Sequence, residues 1–358
     1  MTKTKLISVK YKYIIKPILF RFDAEIIHNL FSAVGEFLGS YEITKTITSS
    51  MFNYENTNLE REIDGIKFPN PIGLSAGFDY DGHLAEIMKS VGFGFNTVGT
   101  VTAREYEGNQ KPRLKRLPKS KSLLVNKGFK SEGVDKVIKR LESKNLTDII
   151  LGVSVGSSNL PSINTIPKAI DDYIYTFDKL KNKSYIKYFE LNISCPNAEM
   201  SETFAESKNL KQLLQSIEKL KIQKPIYIKM ANELSLKETE NLVELSIKFN
   251  FIKGFIFSNL VKKRTNKSFD QNEIKGVEQL KGNFSGKPTQ VNSNELISHI
   301  SKKFGNKTTI IGCGGIFNAK DAQKKLDNGA KLVQLVTGMI FEGPQLIGEI
   351  NEELAHLP

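Results

Sequence analysis

Phe189-Glu-Leu-Asn-Ile-Ser-Cys-Pro-Asn197 is an apolar stretch that brings two amides and a thiol together at its end. Alternation along a strand places Leu191 and Ile193 on one face and Asn192 on the other. The proline cannot continue the strand, because it has no backbone N–H to donate. The segment predicts either a strand with reactive groups at its carboxyl end or a buried strand whose polar tail simply turns.

Similar strands recur along the chain, and helical patterns alternate with them. Short, apolar and largely β-branched stretches predict eight strands, at residues 70–76, 95–101, 149–155, 188–194, 225–230, 254–258, 308–311 and 332–336. Helical periodicity predicts helices between them, at residues 132–141, 210–220, 236–249, 294–304 and 319–326. Eight βα units over about 290 residues match an α/β fold of the (β/α)8 TIM barrel type better than a doubly wound sheet.

The carboxyl ends of the predicted strands meet on one face of such a barrel, where its chemistry is concentrated. Small residues end the first three strands, which lets a large flat ligand approach the backbone. The last two strands end in Gly312-Cys-Gly-Gly315 and Thr337-Gly338. Backbone N–H groups of glycine segments at these positions bind phosphate in barrels. A phosphorylated ligand is therefore expected.

Lys229, on the fifth predicted strand, has two interpretations. A lysine in a barrel mouth forms a Schiff base or presents a positive charge, and the absence of a carboxylate beside it on the strand favours the charge. The four histidines and the two cysteines show no metal-ligand spacing. We expect no metal site.

The composition limits the function classes. Apolar residues make up 39% of the chain and charged residues 25%, and no run of 18 apolar residues could span a bilayer. Two cysteines provide no disulfide framework, which favours a reducing, cytoplasmic compartment. The net charge of +12 is spread along the chain without a nucleic-acid-binding motif, so no nucleic-acid partner is expected.

The N-terminal region is basic and apolar by turns. Apolar positions recur at helical spacing after Asp23, a suitable N-cap, and predict an amphipathic helix that ends near Gly39. Its apolar face either packs on the main domain or lies in a membrane interface. The residues alone favour packing.

Beyond these patterns, the motifs resemble those of the dihydroorotate dehydrogenases, flavin-dependent barrels of pyrimidine synthesis, from about Tyr13 to the C-terminus. The matching motifs follow the family in order and are Asn70-Pro-Ile-Gly-Leu-Ser-Ala-Gly-Phe-Asp-Tyr-Asp-Gly82, Val98-Gly-Thr-Val-Thr102, Gly108-Asn-Gln-Lys-Pro-Arg113, Asn192-Ile-Ser-Cys-Pro-Asn197, Ser285-Gly-Lys-Pro288 and Ile310-Ile-Gly-Cys-Gly-Gly-Ile316. Lys16-Pro-Ile-Leu-Phe-Arg-Phe-Asp23 resembles the N-terminal extension of the membrane-associated, quinone-using class.

This resemblance implies two parts of the chain and a location. Residues 1–45 would form an N-terminal helical segment that associates with the membrane and guides quinone toward the flavin. Residues 46–358 would form the FMN-binding catalytic barrel. The protein would lie peripherally on the cytoplasmic side of the cell membrane, so the resemblance favours the interface over packing for the N-terminal helix.

The resemblance also implies the ligand contacts. FMN would be bound by Ala76, Gly77, Thr100, Ser154, Asn192, Lys229, Ser258, Gly286, Gly314, Gly315, Thr337 and Gly338. Substrate would meet Asn126, Lys127, Gly128, Phe129, Asn192, Asn197 and Asn259. Asparagine both donates and accepts hydrogen bonds, which suits the imide edges of a planar pyrimidine. The Lys229 charge would stabilise the anionic reduced ring.

The implied reaction oxidises (S)-dihydroorotate to orotate in the synthesis of UMP. A proton leaves C5 while hydride passes from C6 to flavin N5, and a quinone reoxidises the flavin. Cys195 stands at the position of the base, where quinone-using members ordinarily carry serine and soluble members cysteine. An unperturbed thiol has a pKa of about 8.5, well below that of a hydroxyl.

Three further positions depart from the family pattern. Tyr80 stands where a lysine is expected, Asn126-Lys-Gly-Phe129 is one residue shorter than usual, and Ser154 replaces a flavin-contacting asparagine. We interpret Lys127 as a source of positive charge for the substrate carboxylate. Open alternatives are another acceptor (fumarate or NAD), a related dihydropyrimidine substrate, a non-redox aldolase that uses Lys229, and a membrane-surface module without catalysis.

Overall fold

The computed structural model describes residues 3–193 and 203–357. Its strands are β1 (Arg61–Ile63), β2 (Ile66–Phe68), β3 (Ile72–Leu74), β4 (Phe95–Val101), β5 (Leu114–Leu117), β6 (Ser122–Val125), β7 (Leu151–Val155), β8 (Ile186–Asn192), β9 (Ile226–Met230), β10 (Ile252–Phe257), β11 (Asn283–Gly286), β12 (Thr309–Cys313) and β13 (Leu332–Leu335).

The α-helices are α1 (Lys3–Lys10), α2 (Lys16–Leu19), α3 (Ala24–Gly39), α4 (Glu42–Phe52), α5 (Met88–Val91), α6 (Val134–Glu142), α7 (Ile166–Leu180), α8 (Ser207–Glu218), α9 (Leu236–Ser246), α10 (Gln271–Lys275), α11 (Gln290–Phe304), α12 (Ala319–Asp327), α13 (Thr337–Glu342) and α14 (Leu346–Ala355). A π-helical stretch, Tyr11–Ile15, joins α1 to α2, and 3-10 turns lie at Thr57–Leu59 and Lys287–Thr289.

Eight parallel strands close into a barrel in the order β10-β12-β13-β3-β4-β7-β8-β9. Each of these strands corresponds to one of the eight predicted from the sequence, and the predicted helices lie between them. The (β/α)8 barrel with an N-terminal helical extension is therefore confirmed. The strands are buried on both faces, as in barrels surrounded by helices, which explains their nearly continuous apolar sequences.

A β-hairpin closes the amino-terminal end of the barrel. Its strands, β1 and β2, are joined by Asp64 and Gly65, both with positive φ, which suits a two-residue hairpin turn. The hairpin residues Ile63 and Phe68 pack against inward-facing side chains of the barrel, and the Tyr227 hydroxyl donates a 2.8 Å hydrogen bond to Asp64 Oδ2. The carboxyl-terminal end of the barrel therefore remains for ligands.

A separate antiparallel sheet, β11-β6-β5, lies in the connections that follow β4 and β10. Its strands pair in the registers Ser122 with Gly286 and Ser122 with Leu117. The sheet joins two segments that are about 160 residues apart, and it brings Gly286 to the carboxyl end of the barrel. The sequence pattern did not predict these strands.

The N-terminal helices pack with one side on the barrel. Asp23 caps α3 as predicted, its carboxylate accepting hydrogen bonds from Glu25 N and Ile26 N. The Tyr11 hydroxyl donates to Ile340 O at 2.7 Å, and Glu36 pairs with His83 at 2.7 Å. The boundary that we predict after residue 45 falls within α4. None of the described helices is both long and apolar enough to cross a membrane.

Candidate active site

A cavity of about 430 Å³ opens at the carboxyl ends of the barrel strands. Six of the barrel strands each contribute a polar or thiol side chain to it at or just beyond their ends, namely Ser75, Thr100, Asn192, Lys229, Ser258 and Cys313. These side chains belong to strands β3, β4, β8, β9, β10 and β12, and the closed barrel brings them together on the floor of the cavity. The expectation that the strand ends converge is therefore confirmed for the described residues.

Asn192 is held on this floor by hydrogen bonds. Its Nδ2 donates to Thr100 Oγ1 at 3.0 Å, and Thr100 Oγ1 lies 3.0 Å from Ser154 Oγ. The Tyr173 hydroxyl donates to the backbone oxygen of Asn192 at 2.7 Å. Asn259 Nδ2 lies 3.5 Å from Asn192 Oδ1, within reach of a weak hydrogen bond. Two of the amides predicted to meet substrate thus lie side by side at the cavity.

One end of the cavity is lined by glycine backbone. Gly286, Gly314 and Gly315 have φ of 83°, 103° and 71°, a conformation that glycine adopts without strain. They line the cavity together with Thr337 and Gly338, the first residues of α13. Gly338 has no room for a side chain, since a Cβ there would overlap Ile316 O. Backbone N–H groups concentrated in this way suit an anionic group such as a phosphate.

Gly77 provides a flat surface on the floor of the cavity. Its φ is 100°, and a Cβ built there would meet no atom within 4 Å, so the cavity itself occupies that space. Its N–H donates to Gly99 O at 2.8 Å, which fixes the backbone after β3. A planar ring can lie against this backbone edge, whereas the side chain of any other residue would enter the cavity.

The segment from Asn126 to Phe129 lines the same cavity. Asn109 Nδ2 donates to Asn126 Oδ1 at 2.9 Å and leaves the Asn126 Nδ2 group to other acceptors. Lys127 Nζ lies 2.8 Å from Glu25 Oε1 of α3 and 5.0 Å from the centre of the Tyr80 ring. Lys127, which we expect to bind the substrate carboxylate, thus also forms an ion pair with Glu25 of the N-terminal segment.

The titration of this pair reflects two opposing causes. Burial raises the pKa of Glu25, but the hydrogen bond and charge of Lys127, together with the charges of Arg113 and Lys111, outweigh burial, so the pKa lies below its usual range. Burial lowers the pKa of Lys127, and the pairing with Glu25 offsets only part of that change. Each partner thus compensates part of the cost of burying the charge of the other.

One part of the cavity, the apolar limb, is lined mainly by apolar side chains and includes a residue of the N-terminal helix α3. Its lining comprises Leu114, Leu123, Val125, Ile340, Phe78 and Tyr80, with His28 from α3. The His28 ring packs edge-on against Phe78 and Tyr80, and burial lowers the pKa of its imidazole to about 4, so it is neutral at pH 7. The sequence pattern assigned no role to this histidine.

The predicted site residues differ in whether they line the cavity. Every predicted contact residue within the described part of the chain except Ser154 lines the cavity, and Ser154 lies directly behind Thr100. Cys195 and Asn197, for which the sequence predicts roles, lie outside the described residues. Sequence reasoning missed Ser75 as a hydrogen-bonding residue, because a serine at a strand end is indistinguishable from a small spacer.

Comparisons with known proteins agree with this geometry. A sequence profile of the family described as Dihydroorotate dehydrogenase matches residues 58–357. A Christiangramia forsetii protein named Dihydroorotate dehydrogenase (quinone) is 38% identical over 350 residues, which cover 96% of this chain and 98% of that protein. A protein of the same name from Shewanella sp. (strain ANA-3) is 35% identical over 350 residues, covering 95% of this chain and 97% of that protein.

The fold is also found among solved structures. A crystal structure of DHODH from Eimeria tenella in complex with ferulenol has a TM-score of 0.80 with this chain, at 24% identity, and the match covers 93% of this chain and 90% of that one. It supports the fold, whereas the profile and the nearly full-length relatives identify the family. The chain belongs to the dihydroorotate dehydrogenase family.

Proposed function

We propose that this protein oxidises (S)-dihydroorotate to orotate with bound FMN and passes the electrons to a quinone, in the pathway that makes UMP. The observation that carries this proposal is that one cavity of the described residues combines a polar floor, a glycine-lined end and an apolar limb. The relatives named Dihydroorotate dehydrogenase (quinone) support it over nearly the full length of the chain. The aldolase interpretation of Lys229 is not favoured, since the family carries out redox chemistry.

FMN fits the residues at the floor of the cavity. The backbone N–H groups of Gly286, Gly314, Gly315, Thr337 and Gly338 would hold the phosphate, and the backbone of Ala76 and Gly77 would lie against the ring. Thr100, Asn192, Lys229 and Ser258 surround the same space, and Ser154 orients Thr100. When bound, FMN would supply the acceptor for the substrate hydride and the relay of electrons to quinone.

The substrate would be oriented by amides and by the segment that begins at Asn126. Asn126, Asn192, Asn197 and Asn259 would bind the imide edge, and Lys127, Gly128 and Phe129 would enclose the ring. Cys195, placed by sequence just beyond β8, would take the proton from C5 of dihydroorotate. The amide of Asn192 needs no rearrangement for its part, since Thr100 already fixes its orientation.

The acceptor would enter through the apolar limb beside His28. The N-terminal segment exposes large apolar side chains to solvent, including Tyr13, Ile14, Ile18, Phe22, Ile26, Leu30, Phe37, Ile43 and Ile47. Such a surface next to lysines suits the interface of an anionic bilayer. Residues 1–45 would therefore dock peripherally on the cytoplasmic face of the membrane and admit a lipid-soluble quinone.

An anaerobic two-step experiment tests the proposed function. Purified protein that contains FMN is mixed with dihydroorotate, and bleaching of the flavin absorbance is followed before a quinone in phospholipid vesicles, fumarate or NAD is added. We expect bleaching and then rapid reoxidation by the quinone alone, with the protein sedimenting with the vesicles. Failure to bleach would exclude the substrate, and equally rapid reoxidation by fumarate or NAD would exclude the assigned acceptor.

Replacement of Cys195 by serine tests the assigned base. We expect Cys195→Ser to slow flavin reduction at pH 7 by about tenfold or more, because the base must first lose its own proton and a hydroxyl ionises far less readily than a thiol whose pKa is about 8.5. Stopped-flow absorbance measures this rate, and the orotate-induced change in the flavin spectrum shows whether binding is preserved. Equal reduction rates in mutant and parent would remove Cys195 from the mechanism.

A further inference from the structure

The Lys229 ammonium is held on the cavity floor by one neutral side chain. Lys229 Nζ donates a 2.8 Å hydrogen bond to Ser75 Oγ, which reaches it across the barrel from the end of β3. Lys229 is 5% exposed and Ser75 is 3% exposed. Within the described part of the chain, no carboxylate forms an ion pair with Lys229. A buried cation without a counter-ion depends on such an acceptor for its position.

The orientation of the Ser75 hydroxyl is itself constrained. Cys313 Sγ lies 3.6 Å from Ser75 Oγ and can donate a weak S–H hydrogen bond to it. The Ser75 O–H in turn reaches the backbone oxygen of Ala76 at 3.4 Å. Its own hydrogen is thereby directed away from Lys229, which leaves a lone pair facing the ammonium. Three strands, β3, β9 and β12, thus contribute to one small polar cluster.

A lysine has four rotatable bonds, and an unrestrained ammonium would sample several positions. A cation stabilises developing negative charge only where it is held at the right place before the charge forms. The Lys229 ammonium has three N–H donors and uses one of them in the hydrogen bond to Ser75, so the other two remain for a group in the cavity. The Ser75 hydroxyl therefore fixes the position of the Lys229 charge.

We propose that Ser75 is a positioning residue that fixes the Lys229 ammonium against the flavin and so tunes the reduction potential of bound FMN. The inference rests on the proposed function, since it takes FMN as the occupant of the cavity. Ser75 acts through Lys229 and does not itself take part in proton or hydride transfer.

Ser75→Ala removes the acceptor and adds no bulk. We expect the midpoint potential of bound FMN to become more negative, by an amount equal to about a tenfold loss in the two-electron equilibrium, which is about 30 mV. We expect Lys229→Met to lower the potential further, and Ser75→Ala to have no additional effect in the Lys229→Met background. This non-additivity is the signature of a residue that works through its neighbour.

The potential is measured by titration with dithionite against a reference dye, so the readout does not depend on turnover. Ser246→Ala is the matched control: it removes another fully buried serine hydroxyl, which donates to Leu242 O on α9 away from the cavity. An unchanged potential in Ser75→Ala, or equal shifts with and without Lys229, would overturn the inference. If the parent binds no FMN or is not bleached by dihydroorotate, the proposed function fails instead, and the dithionite titration separates the two results.

Discussion

Gly314→Ala is expected to weaken FMN binding by about a hundredfold, which corresponds to nearly 3 kcal/mol. The φ of Gly314 is 103°, where an L side chain is strained, and a Cβ there would overlap Thr289 Oγ1. Thr289 cannot easily withdraw, because its hydroxyl donates to Gly286 O at 2.8 Å. Relief of the overlap must therefore move the loop after β12, and with it the N–H groups proposed to hold the phosphate.

Gly329→Ala is the control for backbone strain alone. Its φ is 105°, and a Cβ there would overlap Ser301 Oγ, but Gly329 lies between α12 and β13 and does not line the cavity. Both variants are expected to lower the melting temperature, since each strains the backbone by about 1–3 kcal/mol. Only Gly314→Ala should lose FMN when titrated by quenching of flavin fluorescence. Equal FMN affinity in both variants would contradict a phosphate site at Gly314.

The barrel could be predicted from the sequence because its signals are local. A strand such as β4 is a continuous run of buried residues, and its bounds, 95–101, match those of the structure. The three-stranded sheet could not be predicted, because β11 pairs with β6 from a distant segment and each of these strands is only four residues long. Pairing between segments that are remote in sequence is set by tertiary packing rather than by the local pattern.

The same distinction applies to the site. Glycines and asparagines at strand ends identified the cavity, since the barrel fixes where those ends meet. The contact between Lys127 and Glu25 could not be predicted, because nothing in the sequence indicates that α3 packs beside the segment after β6. That ion pair joins α3 to the part of the cavity that we propose as the substrate site.

Lys325→Met is expected to stabilise the protein near neutral pH and to change how its stability depends on pH. Lys325 on α12 is fully buried, and Nζ donates to Ser293 Oγ at 2.6 Å and to Asn294 Oδ1 at 3.0 Å. Burial lowers its pKa from 10.5 to about 8, and Cys313 and Asp321 offset only part of that effect. Neither hydrogen-bond acceptor carries a charge, so the folded protein bears the cost of an incompletely compensated ammonium.

The direction of the pH dependence follows from the pKa of Lys325 in the unfolded chain, 10.5, and in the folded protein, about 8. Between pH 8 and pH 10.5 the folded protein has released the Lys325 proton and the unfolded chain still holds it, so stability gained from this group rises with pH. Below pH 8 both states are protonated and the cost is constant, at about 3 kcal/mol. Methionine removes the charge at similar size. The advantage of Lys325→Met should therefore be largest below pH 8 and should decline by about 3 kcal/mol toward pH 10.5.

Urea unfolding of parent and variant at a series of pH values measures this difference directly. Lys324→Met provides the control, because Lys324 is the preceding residue of the same helix and its side chain is exposed. Its substitution removes the same charge from the net total of the protein but should leave the pH dependence of stability unchanged. A pH-independent difference between Lys325→Met and the parent would mean that the folded and unfolded states hold the Lys325 proton equally, and that the ammonium is well compensated in the fold. Lost hydrogen bonds to Ser293 and Asn294 would alter the size of the difference but not its slope with pH, because those bonds are absent from the variant at every pH.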